Sequence, residues 1–214
     1  MKPTLKASFC GLLVISLTAP LSGAVIYQAI LTPEAVVPGV GDDDPAGVST
    51  ASGRATFIHN ELEGSLDYEI IVDGLVFSST MPRPTLTGPS ELIRGVHFHF
   101  GAPGINGGHA LNSYGAPRED DGDLFVDPSL RRITGSWDDG DENPGPDNSP
   151  GMGDSVALSD ALAALENGEI YVQIHTMQFR QGELRGQIVP IPEPGVSLLG
   201  GIALVALLRR DRRS

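Results

Sequence analysis

Three of the chain's five histidines fall in fifteen residues, Gly95–His109 (GVHFHFGAPGINGGH). His97 and His99 are two apart, and a fourth, His175, sits in Glu169–Thr176 (EIYVQIHT). A strand sends successive side chains to opposite faces. Val96, Phe98 and Phe100 therefore claim the core, and His97 and His99 point together to the other side. Residues two apart on a strand are about 6.6–7 Å apart along the chain, so two imidazoles leaning inward can reach one ion. Ile170, Val172 and Ile174 likewise claim the core and leave His175 outside with Tyr171 and Gln173. If the two strands are neighbours, His97, His99 and His175 converge. His109, in the Gly-rich loop that follows the first strand, is the candidate fourth member. Three or four imidazoles without a thiolate suit copper or zinc. The plainer alternative is a solvated strand face that happens to carry histidines. The metal reading requires both strands in one sheet and the imidazoles within about 8 Å, because His–metal bonds are about 2.0–2.1 Å. His59 ends a different strand and is expected to stand apart.

Other polar groups are expected to do less. Glu183 and Arg185 alternate with Leu184, so they read as an outward ion pair of small value or, alternatively, as charge placed near the histidine face. The glycines of GAPGINGG suit a tight turn, since no helix follows to make a phosphate cradle. Three acidic loops, 41–47, 118–123 and 138–151, hold closely spaced Asp and Asn that either bind calcium or are simply solvated. None carries the twelve-residue EF-hand spacing. No Gly-x-Ser-x-Gly elbow, His-Glu-x-x-His helix or cysteine nucleophile is present, so no catalytic set is assigned and a non-enzymatic protein is expected.

The histidines must be held by strands. Alternating or apolar β-rich segments occur at Val25–Leu31, Ser52–Ile58, Leu66–Val72, Ile93–Phe100, Arg132–Trp137, Glu169–Thr176 and Glu183–Val189, separated by Gly, Pro and Asp. Seven or more short strands of this kind predict an antiparallel sandwich or barrel. One short connector helix is expected over Asp160–Asn167, with Ser159 as its cap and Gly168 as its stop.

The two ends read differently from the middle. Residues 1–24 have a basic start (Lys2, Lys6), a short apolar run and small residues before Val25, the pattern of a secretory signal. The only cysteine, Cys10, lies inside it, so the body lacks thiols and disulfides. Residues 25–190 then form one domain, and 191–214 form a tail. Between these ends eight arginines face 25 acids, a balance of −17. That excludes a nucleic-acid partner, whose phosphates need a basic surface. The tail has Pro192-Glu193-Pro194, a fourteen-residue apolar stretch Gly195–Leu208, and four terminal arginines. This closely resembles the PEP-CTERM sorting signal of Gram-negative bacteria. The resemblance implies recognition by an exosortase, processing near the Pro-Glu-Pro turn, membrane anchoring before processing, and delivery to the envelope surface or extracellular matrix.

The body carries a second resemblance. ASGRATF (51–57), GVHFHFGAPGINGG (95–108), LENGEIYVQIHT (165–176) and GELRGQI (182–188) are similar to the CHRD domain, in its order and over nearly the whole body. The resemblance implies an all-β fold, an immunoglobulin-like antiparallel β-sandwich. More distantly, the order His97, His99, His109, His175, Arg185 resembles copper-zinc superoxide dismutase, a Greek-key sandwich in which an arginine guides an anion. The chain departs from it in having no disulfide pair and no recognisable zinc set. The leading expectation is a non-enzymatic envelope or matrix module with an extracellular protein or polysaccharide partner. The alternative is a copper- or zinc-binding protein using His97, His99, His175 and His109.

Overall fold

The computed structural model describes residues 24–78, 88–115, 121–143 and 154–191. The segments expected as a secretory signal and a sorting tail lie outside these residues except for Ala24 and Ile191, as do parts of the acidic loops at 118–123 and 138–151. Among the described residues ten strands form in chain order: β1 (Val25–Leu31), β2 (Ser52–Asn60), β3 (Ser65–Asp73), β4 (Ile93–Phe100), β5 (His109–Gly115), β6 (Phe125–Asp127), β7 (Arg132–Trp137), β8 (Ile170–Thr176), β9 (Leu184–Gln187) and β10 (Val189–Pro190). They build two antiparallel sheets, one ordered β10-β1-β2-β3-β7-β6 and the other β5-β4-β8-β9. The all-β sandwich expected from the sequence is the fold found.

The sheets meet through their apolar alternate residues. Phe57, Tyr68, Ile70, Ile133 and Trp137 of the larger sheet face Val96, Phe98, Ile170, Val172 and Ile174 of the smaller one, all buried. Phe98 is the central contact. Its ring meets Phe57 edge-on at 5.6 Å and Tyr68 edge-on at 5.2 Å, and lies 5.9 Å from Trp137. Edge-to-face aromatic pairs at these separations add to the gain from burial alone. Fixing Phe98 inward fixes the opposite face of β4 as the home of His97 and His99.

Three expectations need correction. β5 and β6 were not foreseen: β5 (HALNSYG) mixes polar and small residues without clean alternation, and β6 has only three residues. The segment expected as one strand over Glu183–Val189 is divided. β9 pairs with β8, and β10 crosses to pair with β1 in the other sheet. The helix α1 spans Leu158–Glu166, so Ser159 lies inside it and no side chain of its own caps it. Its first turn is met instead by Asp139, whose carboxylate accepts from the Ser159 amide at 2.8 Å. Gly168 does end the turn, in the left-handed region at φ 68°.

Truncating a buried phenylalanine typically costs about 3–5 kcal/mol. In urea titrations Phe98→Ala is expected to lower the unfolding free energy by an amount in that range, whereas a surface variant such as Ile30→Ser is expected to stay near wild type.

Candidate metal centre

The outer face of the smaller sheet is largely covered, with His109 and His175 half-buried at its edges. His97 and His99 are only 3% and 7% exposed, and Tyr171, Gln173 and Arg185 are also buried. The alternative of a solvated strand face therefore does not hold for His97 and His99. Two loops cover it. Residues 101–108 fold back over β4, with the Phe100 amide donating to Gly108 O at 2.9 Å. Residues 177–183 fold back over β8, with the Thr176 amide donating to Phe179 O and the Glu183 amide to Ile174 O. The first loop needs glycine: a Cβ on Gly107 would collide with the Phe100 carbonyl, and Gly101 stands at φ 147° with no room against Ile105 O.

Pairing brings the imidazoles together. β4 lies between β5 and β8. His109 begins β5 rather than ending a loop, and it pairs directly with His99. Irregularities in the β4–β5 register on either side of His97 and Phe98 re-aim the side chains there, as bulges do. On the other flank His97 pairs with Gln173 and Gly95 with His175. His175 is thus diagonal to His97, within reach for long side chains, and Gly95 places no side chain against it.

The ring centroids lie at 4.6 Å for His97–His109, 4.4 Å for His99–His109, 4.8 Å for His97–His175, 5.8 Å for His97–His99 and 6.1 Å for His99–His175. The expected four therefore converge in one sheet, well inside the 8 Å limit. One nitrogen each from His97, His99 and His109 falls within 4.8 Å of the others. Nitrogens bound to a single ion at 2.0–2.1 Å would stand roughly 3.5 Å apart, so these three must close in on an ion, and His175 stands outside their triangle, beside His97. His59 is buried in β2 of the other sheet and takes no part, as expected.

Hydrogen bonds set the tautomers. His99 Nδ1 lies 3.2 Å from Gly107 O, and His175 Nδ1 lies 3.0 Å from Arg180 O. A carbonyl only accepts, so each Nδ1 carries the proton and each Nε2 keeps a lone pair. Both Nε2 atoms are buried without a hydrogen-bond partner. This is the arrangement in which a second hydrogen bond orients a metal-ligating histidine. Burial, followed by the neighbouring imidazoles, holds the His99 ring well below the usual histidine pKa. Burial also brings His175 down to about 4, against an opposing contribution from the Arg180 carbonyl. Both are neutral at physiological pH, the form that ligates metals.

Sequence reasoning missed the supporting layer. Tyr171 stacks on His99 at 5.1 Å and 7° between planes, and its hydroxyl accepts from the Gly107 amide at 3.3 Å. Arg185 lies over the other face of Tyr171, 3.5 Å from the ring centroid. Its guanidinium donates to Asn106 Oδ1, Ala102 O and Ile105 O. The expected surface ion pair with Glu183 is not formed. Glu183 is buried and accepts from Ser49 Oγ at 2.6 Å and Thr176 Oγ1 at 2.5 Å. With its donors committed to a loop and only 2% exposed, Arg185 is not an exposed guide for anions, as the dismutase resemblance implied. The alternation did place Tyr171 and Gln173 beside His175. What it could not register is that loops would bury that face.

Among the described acidic residues, Asp121 is also buried. Its carboxylate accepts from the Tyr68 hydroxyl, and Tyr68 also meets Ser113 Oγ at 2.6 Å. Desolvation pushes Asp121 up to about 8. Asp121 thus lies against Gly135 of β7, bonded to Tyr68.

The family comparison covers most of this architecture: the CHRD domain model matches residues 27–188. The chain belongs to the CHRD domain family. A comparison with curated proteins gives no match. The CHRD domain here thus runs from β1 through Ile188, just after β9, and contains all four converging histidines. No helix among the described residues is long and apolar enough to cross a membrane.

The two kinds of buried group pull stability in opposite directions with pH. The histidines are neutral when folded and gain protons when unfolded below about 6.5, so their contribution is present above that pH and is lost as pH falls toward 4. Asp121, raised when folded, contributes most below about 4 and loses that contribution as pH rises through 8. In urea titrations of metal-free protein, stability is expected to fall between pH 6.5 and 4, and to fall more steeply in Asp121→Asn.

Proposed function

We propose that this protein is an exported CHRD module, directed to the envelope surface or extracellular matrix, that holds one copper or zinc ion on His97, His99, His109 and His175. The observation that carries this reading is the pair of buried Nε2 lone pairs on His99 and His175, each oriented by an Nδ1–H to carbonyl bond and each without a partner. A buried polar atom left unsatisfied costs about 1–3 kcal/mol, and an ion offsets that cost at both atoms together. The triangle of His97, His99 and His109 nitrogens adds a second support. An all-imidazole set suits copper or zinc and is poorly matched to calcium, which takes oxygen ligands. Such an ion fastens β4, β5 and β8 beneath their two loops, a binding and stabilising role that requires no turnover.

Export rests on the ends of the chain. The basic-apolar-small start and the Pro-Glu-Pro, apolar and arginine tail fit secretion followed by handling at the envelope through an exosortase. The acidic body, at −17 from eight arginines and 25 acids, suits an extracellular setting with a protein or polysaccharide neighbour.

Elemental analysis after dialysis against trace copper, zinc and calcium tests the site. Wild type is expected to keep about one equivalent of copper or zinc and to melt higher when loaded, since a ligand specific to the folded state must stabilise it. His97→Ala/His175→Ala is expected to lose the ion. A wild-type protein that binds calcium alone, or no metal, contradicts the proposal.

A further inference from the structure

The larger sheet leaves apolar side chains on its outer face at one corner. Ile26 of β1 pairs with Ile58 of β2, and the Ile191 amide donates to Ile26 O at 2.8 Å, so three isoleucines stand side by side across the end of the sheet. Their strand neighbours Tyr27 and Phe57 are buried in the core, which turns Ile26 and Ile58 outward. Val189, paired with Gln28, lies beside them, and Leu62 in the turn between β2 and β3 adjoins them. Leu62 is 85% exposed, and the other four are between 37% and 43% exposed. Single exposed aliphatic residues are ordinary, whereas a contiguous set marks a contact surface.

Where the chain goes next identifies the occupant. Only Pro192, Glu193 and Pro194 separate Ile191 from the fourteen-residue apolar stretch Gly195–Leu208. The chain from Ile191 to Gly195 reaches at most about 14 Å. A helix the length of the apolar stretch reaches about 21 Å, short of the roughly 30 Å hydrocarbon core of a bilayer. With Arg209 and Arg210 held at the far interface, the near end of the stretch must lie within the core, or the bilayer must thin around it. Either way the shortfall draws the short tether, and the corner fastened to it, into the headgroup layer. We propose that this corner is a membrane-docking surface that rests on zwitterionic phospholipid headgroups around the anchored tail. The inference rests on the membrane-anchored form of the export reading and is independent of the histidine centre. Acids border the corner: Asp67 pairs with Ile58, and Glu61 and Glu63 flank Leu62. They and the −17 body are repelled by anionic lipid, so neutral headgroups are the chemistry that fits. The histidine face belongs to the other sheet and stays clear of the bilayer.

The test uses the full chain in phosphatidylcholine vesicles, with Cys10→Ser as background and a dye on a single cysteine introduced by Ile58→Cys, Leu62→Cys or Val48→Cys. Val48 is 64% exposed and precedes the start of β2, whereas Ile58 and Leu62 lie at its far end. Lipids carrying a nitroxide at the headgroup are expected to quench the dye in Ile58→Cys and Leu62→Cys and to leave Val48→Cys unchanged. Adding Ile26→Ser/Leu62→Ser is expected to weaken the quenching in Ile58→Cys while the protein still floats with the vesicles. Unchanged quenching in that variant shows that the tether alone sets the distance, and overturns the docking surface. Floating protein quenched equally in all three positions, or in none, also overturns it and leaves the anchor standing. A dye in Leu62→Cys shielded identically with and without nitroxide lipid shows a second copy on the corner, which overturns the lipid assignment. Protein that stays in solution when vesicles float overturns the anchored tail and this inference with it.

Discussion

A strand has two faces and must place every side chain on one of them. In β4 that choice is made by Phe98, which the larger sheet seizes through Phe57, Tyr68 and Trp137. Once it is made, His97 and His99 have nowhere to go but the opposite face. Because β4 is flanked by β5 and β8, that face receives His109 from one side and His175 from the other. The centre is thus a consequence of apolar packing on the far side of the same strand. It should be as rigid as the core that imposes it.

A row of histidines on an open sheet would be unremarkable. Here the loops change its chemistry. The 101–108 loop supplies the Gly107 carbonyl to His99, and the 177–183 loop supplies the Arg180 carbonyl to His175. The same loops remove water, so the rings stay neutral and their Nε2 atoms stay unpartnered. Arg185, through Asn106 and two backbone carbonyls, holds the first loop down and at the same time presses Tyr171 against His99. One buried cation thereby links loop order, ring orientation and the local electric field.

The sequence disclosed the architecture where alternation was clean. β1, β3, β4, β7 and β8 could be read because Val, Ile, Leu and aromatic residues recur at every second position or in short apolar runs. β5 could not, because Asn112 and Ser113 are buried polar residues and Ser155 Oγ satisfies the Asn112 amide from a distant segment. The four histidines were legible as a group from types and spacing. Their burial was not, because it depends on loops whose glycines look in sequence like ordinary turns. The same blindness made Arg185 and Glu183 look like a surface pair. Whether a charged strand residue is covered is decided by contacts far away in the chain, with Ser49 for Glu183 and Asn106 for Arg185.

The most direct measurement is anomalous diffraction from a metal-loaded crystal at the copper and zinc absorption edges. The account predicts a single strong peak about 2.0–2.1 Å from Nε2 of both His99 and His175, with nitrogens of His97 and His109 completing the shell. A peak confined to the acidic loops, or no peak among the four imidazoles at full metal loading, would contradict it.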